Sequence, residues 1–208
     1  PDGFHEEVSI NETDRTGISN ARRVARDADV VVMVLGEYGF QSGEGRSRTN
    51  LDLPGFQQEL LEEVYKVNKN IVLVLMNGRP LVLNWHSENL PAIVEAWHLG
   101  TSSGNAIAEV LYGDFNPSGK LPMSFPRSVG QLPLYYNYKS TGRPGADGED
   151  AGSVFWSHYQ DELNSPLYPF GYGLSYTDFT ISDISLSSNE LSGDGSITAS
   201  VLVSNVGD

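Results

Sequence analysis

Two short runs of consecutive apolar residues limit the fold more than any other feature of this sequence. They are VVVMVL at Val30 to Leu35 and IVLVL at Ile71 to Leu75. Strands with one face in water alternate apolar and polar residues, whereas continuous apolar, β-branched runs are typical of strands buried in a parallel sheet. We therefore expect two buried parallel strands, the first of which ends where the chain opens at Gly36.

Helical patterns accompany both strands. Residues Ser19 to Ala28 suit a helix capped by Ser19 or Asn20. A second helix follows Pro54, which suits its first turn. Its apolar stripe at helical spacing consists of Phe56, Leu60, Leu61, Val64 and Val67. This alternation predicts a layered α/β fold, with a mostly parallel sheet and helices on both faces.

The later part of the chain changes character. A short strand is predicted over Ala92 to Trp97 and a helix over Asn105 to Tyr112, after which Gly113 to Arg127 contains three prolines and two glycines. That composition predicts ordered but irregular chain. From Phe179 to Leu186 and from Ile197 to Val203, apolar and polar residues alternate as in the strands of a β-sandwich. About thirty residues are too few for a complete sandwich of about seven strands.

Composition excludes several classes of function. Acidic residues outnumber basic ones 27 to 13, for a formal net charge of −14, so nucleic acids and anionic membranes are unfavourable partners. No apolar run approaches the ~20 residues of a membrane span. The absence of cysteine excludes disulfides and thiolate ligands. No phosphate-binding glycine motif is present, and we predict neither a cofactor nor a metal, since the histidines lack metal-ligand spacing. They are His5, His86, His98 and His158.

The loop after the first strand carries the strongest candidate for chemistry. It reads LGEYGFQSGEGRSR from Leu35 to Arg48, with Glu44 between two glycines. Ligands of open α/β sheets bind at the carboxyl ends of the strands, and Arg46 and Arg48 can hold an anionic glutamate or bind ligand hydroxyls. The pattern favours a catalytic acid; an ordinary solvated loop is the alternative, because Gly-Glu-Gly is not specific. For the rival Glu37, at the strand end, a structural role is favoured.

Six segments, in their order and spacing, resemble family 3 glycoside hydrolases, and most closely the bacterial β-glucosidases of that family. The segments are VVVMVLGE at Val30 to Glu37, SGEGRSR at Ser42 to Arg48, LDLPG at Leu51 to Gly55, NGRPL at Asn77 to Leu81, GDFNPSGKLPMSFPR at Gly113 to Arg127, and YPFGYGLSYTDF at Tyr168 to Phe179. Together they cover nearly the whole chain, and the two long segments are specific.

The resemblance implies an enzyme built from an N-terminal (α/β)8-type barrel, a C-terminal α/β sandwich domain and often a fibronectin type III-like domain. On this basis, residues 1–178 are the α/β sandwich domain without its N-terminal part. Residues 179–208 are the truncated start of the fibronectin type III-like domain. The barrel is then the missing partner of this chain.

The resemblance also implies a retaining mechanism that uses two carboxylates. Glu44 matches the acid/base glutamate of the family, and the nucleophilic aspartate belongs to the barrel. The implied activity is hydrolysis of terminal non-reducing β-D-glucosyl residues from oligosaccharides or aryl glucosides, and this chain alone is expected to be inactive. β-Xylosidase and α-L-arabinofuranosidase activities are alternatives, as is a noncatalytic carbohydrate-binding or interaction module.

Further residues are candidates for substrate binding. Arg46 and Arg48 are two, although arginines near carboxylates often form simple ion pairs. Trp156 and Tyr159 are the others, because aromatic planes suit the C–H faces of sugars. They follow a stretch from Ser140 to Ser153 that is rich in glycine and aspartate and predicts an exposed loop.

The resemblance implies a periplasmic or secreted protein. The first residues, PDGFHEEVSI, have neither the basic start nor the apolar core of a signal peptide. We expect the signal peptide to lie outside this sequence, in a longer protein.

Overall fold

A computed structural model of the chain describes residues 10–139, 142–143 and 155–207. The helices in these ranges are α1 Thr16–Arg26, α2 Gln57–Tyr65, α3 Asn84–Asn89 and α4 Ser103–Leu111. The strands are β1 Val31–Gly36, β2 Ile71–Met76, β3 Ala92–Glu95, β4 Phe179–Ile181, β5 Ser185–Leu186, β6 Ala199–Ser200 and β7 Val203–Asn205. Strands and helices alternate through α4, as predicted except for α3, which was not predicted from the sequence.

The first three strands form one parallel sheet in the order β1-β2-β3. Its register places Leu35 beside Leu75, and Leu75 beside Glu95. The prediction of a mostly parallel α/β sheet is therefore confirmed. Because the strands run in the same direction and end level with one another, the chain segments that follow them meet at one edge of the sheet.

The hydrophobic core centres on β2, where Leu73, Val74 and Leu75 have no exposed surface. Neighbouring residues of a strand point to opposite faces, so β2 is covered on both sides, as its sequence predicts. The apolar stripe of α2 reaches this core through Leu61 and Val64. Burial of each such side chain contributes about 1.5–3 kcal/mol of transfer free energy.

One strand is less buried than its sequence predicts. In β1 only Met33 is buried, and three valines that share the opposite face, Val30, Val32 and Val34, are 49%, 48% and 54% exposed. β1 is an edge strand of the sheet, and the described residues leave its second face uncovered. The prediction of complete burial is therefore wrong for β1.

Three helix starts also differ from the sequence-based expectation, and α4 begins at Ser103 instead of Asn105. α1 begins at Thr16, before Ser19 and Asn20, because the carboxylate of Asp14 accepts a 2.8 Å hydrogen bond from the Thr16 N–H. Hydrogen bonds from the Thr16 side chain and from the Thr16 N–H lower the pKa of Asp14. α2 begins at Gln57, so that Pro54 lies ahead of the helix.

The two long motifs of the sequence pair with each other. The Phe125 N–H donates to the Tyr168 carbonyl at 2.8 Å, and the Leu167 N–H donates to the Phe125 carbonyl at 2.9 Å. At the other end of this pairing, the Leu121 N–H donates to the Tyr172 carbonyl at 2.8 Å. Phe125 is almost fully buried. The irregular chain after α4 is thus ordered, as predicted.

The described chain forms two compact units. The first comprises the residues up to Ile107 with Lys120–Tyr172, and the second comprises Ala108–Gly119 with the residues from Gly173 onward. In the second unit, β4 pairs with β7 and β5 pairs with β6, both antiparallel. β4, β5 and β6 lie within the two segments predicted to be β-structured, whereas β7 begins at Val203 and continues past the predicted end to Asn205. Together these strands fit a β-sandwich. The domain boundary between residues 178 and 179 remains a prediction.

Some expectations fall outside the described residues. These are the loop between Ser140 and Ser153, except for Gly142 and Arg143, and the position of His5. Within the described ranges, every helix is too short or too polar to serve as a transmembrane span.

Candidate active site

Three polar residues gather where the parallel strands end. Glu37 follows β1, Asn77 follows β2, and Glu95 is the last residue of β3. Glu37 and Asn77 are buried, although burial of polar groups is costly unless they are paired. Ligands of open α/β sheets bind at this edge, so the surroundings of these residues form the candidate site.

Glu37 is the centre of a buried ion-pair cluster. Its side chain has no exposed surface and accepts a 2.8 Å hydrogen bond from Arg48 Nη1. Arg79 Nε lies 3.0 Å and 3.1 Å from its two carboxylate oxygens, and the Gly78 N–H is 3.3 Å away. Both oxygens of this enclosed carboxylate are already bound by donors of the chain itself, which supports the structural interpretation of Glu37.

Glu44 has the opposite environment. It is exposed, and among the described residues its carboxylate has no hydrogen bond or ion pair. The flanking Gly43 and Gly45 have φ angles of 126° and 69°, which residues with a side chain rarely adopt. A Cβ at either glycine would meet no atom within 4 Å. Backbone conformation, more than space, therefore requires the two glycines that present Glu44.

Arg79 connects the ion-pair cluster to this loop. Its Nη2 donates to the Gln41 carbonyl at 2.5 Å and to the Arg46 carbonyl at 2.8 Å. Sequence reasoning missed Arg79, although the segment Asn77-Gly78-Arg79-Pro80 directly after a buried strand was the available signal.

Ser42, at the start of the turn that carries Glu44, packs directly on Gly78. A Cβ at Gly78 would lie 2.0 Å from the Ser42 Oγ and 3.0 Å from the His98 Nε2. A side chain cannot be accommodated there without movement of the loop. The turn is therefore seated on the segment that follows β2.

The two arginines predicted to bind substrate have different surroundings. Arg48 is paired with Glu37 and also donates to the Asp52 carbonyl at 3.0 Å. Its guanidinium thus forms the ion pair that was the alternative to substrate binding. The guanidinium of Arg46 is exposed and has no partner among the described residues. Arg46 is thus the more available of the two for a ligand.

Trp156 and Tyr159 are partly exposed aromatic residues in a different segment. The Tyr159 N–H donates to Asn164 Oδ1 at 3.1 Å, and Asn164 Nδ2 donates to the Ser157 carbonyl at 2.9 Å. Within the described part of the chain, no hydrogen bond or ring contact joins these aromatics to the Glu44 loop. Their role as sugar-stacking residues remains a prediction.

Glu95 is a further acidic residue that sequence reasoning missed. Burial raises its pKa to about 7, against the opposing effects of the Trp97 N–H and the Asn77 amide, which lie 3.0 Å and 3.4 Å from its oxygens. The Asn77 Oδ1 has no partner within the described ranges. The signal was an acidic residue inside the otherwise apolar segment AIVEAW.

The described residues also form an open groove of about 1140 Å³ beside the end of β1. It is lined by residues that include Asp14, Glu37, Phe56 and Gln57, but not by Glu44. Within the described ranges, no cluster of three or more His, Cys, Asp or Glu side chains is arranged to hold a metal ion.

Comparison with other proteins gives this site a context. The model of the glycosyl hydrolase family 3 C-terminal domain matches residues 2–176. The chain is 51% identical over 205 residues to the periplasmic beta-glucosidase of Salmonella typhimurium, covering 98% of this chain and 26% of that protein. It is 42% identical over 198 residues to a beta-xylosidase of Formosa agariphila, covering 95% of this chain and 26% of that protein.

A solved structure resembles the chain closely. It is a mutant beta-glucosidase from Listeria innocua in complex with laminaribiose, with a TM-score of 0.87 and 39% identity, covering 96% of this chain and 27% of that one. The chain therefore spans about a quarter of the length of the relatives it matches.

Proposed function

We propose that this chain, which belongs to glycosyl hydrolase family 3, carries the acid/base residue of a retaining β-glucosidase. The observation that carries the proposal is the contrast between two glutamates. Glu44 is an exposed carboxylate flanked by two glycines with positive φ angles, whereas Glu37 is buried and paired with Arg48 and Arg79. Glu44 can exchange a proton with a substrate, whereas Glu37 stabilises the loop.

In this mechanism Glu44 acts twice. A nucleophilic carboxylate, proposed to lie on a barrel outside this chain, attacks the anomeric carbon, and the departing oxygen takes the proton of Glu44. In the second step the Glu44 carboxylate removes a proton from water, which attacks the anomeric carbon and releases the sugar and the nucleophile. Retaining enzymes hold their two carboxyl groups about 5–5.5 Å apart. The barrel must therefore bring its nucleophile close to this loop.

The proposed substrate is a terminal non-reducing β-D-glucosyl residue of an oligosaccharide or aryl glucoside. The name of the Salmonella relative and the laminaribiose complex of the Listeria enzyme support it. Arg46, whose guanidinium is free within the described residues, is proposed to bind substrate hydroxyls. Trp156 and Tyr159 are proposed to stack on sugar rings, and Arg48 to act mainly through Glu37.

A β-xylosidase is the second candidate, because the Formosa relative carries that name at 42% identity. A xyloside lacks the hydroxymethyl group of a glucoside. Comparing kcat/KM for aryl β-glucosides and aryl β-xylosides with the full-length parent protein decides between the two. We also propose a periplasmic or secreted location, which the name of the Salmonella relative supports.

Replacing Glu44 in the full-length parent protein tests the catalytic assignment. Because loss of an acid/base group costs about 10²–10⁴-fold, Glu44→Ala should slow unactivated β-glucosides by that factor. A dinitrophenyl glucoside needs little protonation, so its glycosyl-enzyme should accumulate. Azide, which attacks without losing a proton, should then restore turnover and yield β-glucosyl azide.

Glu37→Ala is the matched control, because it removes a carboxylate at the other end of the same loop. We expect it to reduce stability and loop order without azide rescue. Azide rescue with Glu37→Ala but not with Glu44→Ala would exchange the two roles. If neither variant depends on the leaving group, the proposal is wrong.

A further inference from the structure

Arg79 is a largely enclosed arginine whose single guanidinium holds both ends of the Glu44 turn. Only 18% of its side chain is exposed. Its Nη2 donates to the carbonyls of Gln41 and Arg46, at 2.5 Å and 2.8 Å. These two residues bracket the segment Ser42-Gly43-Glu44-Gly45, so the backbone on either side of the proposed acid is bound to one rigid group.

The turn needs such a restraint because of its composition. Glycine has more backbone freedom than any other residue, and one precedes and one follows Glu44. General acid catalysis requires the donor within about 2.6–3.2 Å of the accepting atom, and an error of about 1 Å can lower the rate on the order of 100-fold. A planar guanidinium with fixed donors can hold two carbonyls at a defined separation.

Glu37 holds Arg79 in place. Its carboxylate lies 3.0 Å and 3.1 Å from Arg79 Nε, and its own N–H donates to the Met76 carbonyl at 2.8 Å. Without Glu37, the guanidiniums of Arg48 and Arg79 would share a buried site with no compensating charge. The restraint on the turn is thus anchored to the ends of β1 and β2.

We propose that Arg79, oriented by Glu37, is a positioning residue for the acid/base step: it fixes the turn so that the Glu44 carboxyl reaches the leaving-group oxygen. This inference rests on the proposed function of Glu44. Its chemistry is indirect, because Arg79 binds the backbone of the loop and transfers no proton itself.

Leaving-group dependence in the full-length parent protein tests the proposal. Arg79→Met removes the donors and the charge. Arg79→Lys keeps a cation, but its single nitrogen cannot pair with Glu37 and reach the two carbonyls at the same time, as Nε and Nη2 of Arg79 do. Arg127→Met is the matched control, because Arg127 is a partly buried arginine that donates to a different loop carbonyl, that of Ser165, at 3.0 Å. The substrates are a series of aryl β-glucosides whose leaving groups range from dinitrophenolate to phenolate. The initial burst of dinitrophenolate measures the concentration of active sites.

Displacement of the general acid should slow only those substrates whose leaving group must be protonated. We expect Arg79→Met to lower kcat/KM for phenyl β-glucoside by about 10–100-fold per active site, and that for the dinitrophenyl glucoside by less than about threefold. Azide should not rescue Arg79→Met as it is expected to rescue Glu44→Ala, because the Glu44 carboxylate is still present in the turn. Arg79→Lys should show an intermediate loss with a nearly unchanged unfolding midpoint, so the test survives if Arg79→Met does not fold.

Three outcomes would overturn the inference. Arg79→Met could lower kcat/KM by one factor for all leaving groups, as Arg127→Met is expected to do, which would make Arg79 merely structural. Arg79→Lys could match the wild type throughout the series. Amide exchange at residues 43–46 could also stay unchanged in Arg79→Met. If instead Glu44→Ala lacks leaving-group dependence, the proposed function fails, and amide exchange still decides whether Arg79 holds the turn.

Discussion

Glu95 and His86 are two buried titratable groups whose effects on stability should oppose each other. Burial raises the pKa of Glu95 from 4.5 to about 7. Burial lowers the pKa of His86 from 6.5 to about 4, although attraction to Glu62 and Asp52 acts in the opposite direction. Neither ring nitrogen of His86 has a partner among the described residues, so the folded chain favours the neutral imidazole.

The signs follow from proton binding in the two states. Between pH 4.5 and 7, folded Glu95 keeps a proton that the unfolded chain has lost, so stability falls as pH rises, by about 3 kcal/mol in all. Between pH 6.5 and 4, the unfolded chain protonates His86 while the folded chain does not. Stability therefore falls as pH falls, again by about 3 kcal/mol. The two contributions nearly cancel in the wild type between pH 4.5 and 6.5.

Single substitutions should uncover each contribution. Glu95→Gln removes the decline in stability that Glu95 causes between pH 4.5 and 7, so its free energy of unfolding, relative to wild type, should rise by about 3 kcal/mol from pH 4.5 to 7.5. In His86→Leu, which places an apolar side chain where both ring nitrogens lack partners, the Glu95 effect remains and stability should fall as pH rises. The double variant should be nearly flat relative to wild type and serves as the control.

Urea unfolding between pH 4 and 8, followed by tryptophan fluorescence, measures these slopes. All three tryptophans, Trp85, Trp97 and Trp156, belong to the first compact unit, as do Glu95 and His86. The signal therefore reports on the unit that contains the substitutions. If Glu95→Gln runs parallel to the wild type at every pH, burial does not keep a proton on Glu95 and the reasoning is refuted.

Two other predictions concern the loop and the chain as a whole. The purified 208-residue chain should hydrolyse no aryl β-glucoside, because it supplies Glu44 but not the proposed nucleophile; turnover in a preparation free of other glycosidases would contradict this. Gly78→Ala should destabilise the first unit by about 1–3 kcal/mol, because its Cβ would lie 2.0 Å from the Ser42 Oγ. Gly100→Ala, whose Cβ would meet no atom within 4 Å, is the control, and equal urea midpoints for the two variants would be the contrary result.

The sequence predicted the parts of the fold that depend on local pattern. The apolar run of β2 and the helical stripe of α2 lie where their periodicity places them. The start of α1 at Thr16 was missed, because it depends on the side chain of Asp14. The exposed face of β1 was missed as well, since an apolar run does not reveal which elements cover it.

The candidate site divides in the same way. The glycines around Glu44 marked a special turn, but spacing could not reveal their positive φ angles. Arg79 was missed because its carbonyl partners lie 38 and 33 positions earlier in the chain, and no local pattern encodes such a contact. Glu95 was missed because a single acidic residue in an apolar segment does not reveal in the sequence that its carboxyl group is buried.

The pairing of the two long motifs has a consequence for how proteins of this fold can vary. Backbone hydrogen bonds join Leu121–Phe125 to Leu167–Tyr172, so the ends of the intervening chain are fixed side by side. Each doubling of the length of a loop closed in this way costs only about 0.6 kcal/mol. The buried Gln131 side chain also donates to the Leu163 carbonyl at 2.8 Å, so we expect residues 132–162 to tolerate insertions and deletions. Trp156 and Tyr159 lie in that interval. Related proteins can therefore differ in the ligand contacts made by this interval, while the sheet and the Glu44 turn stay unchanged.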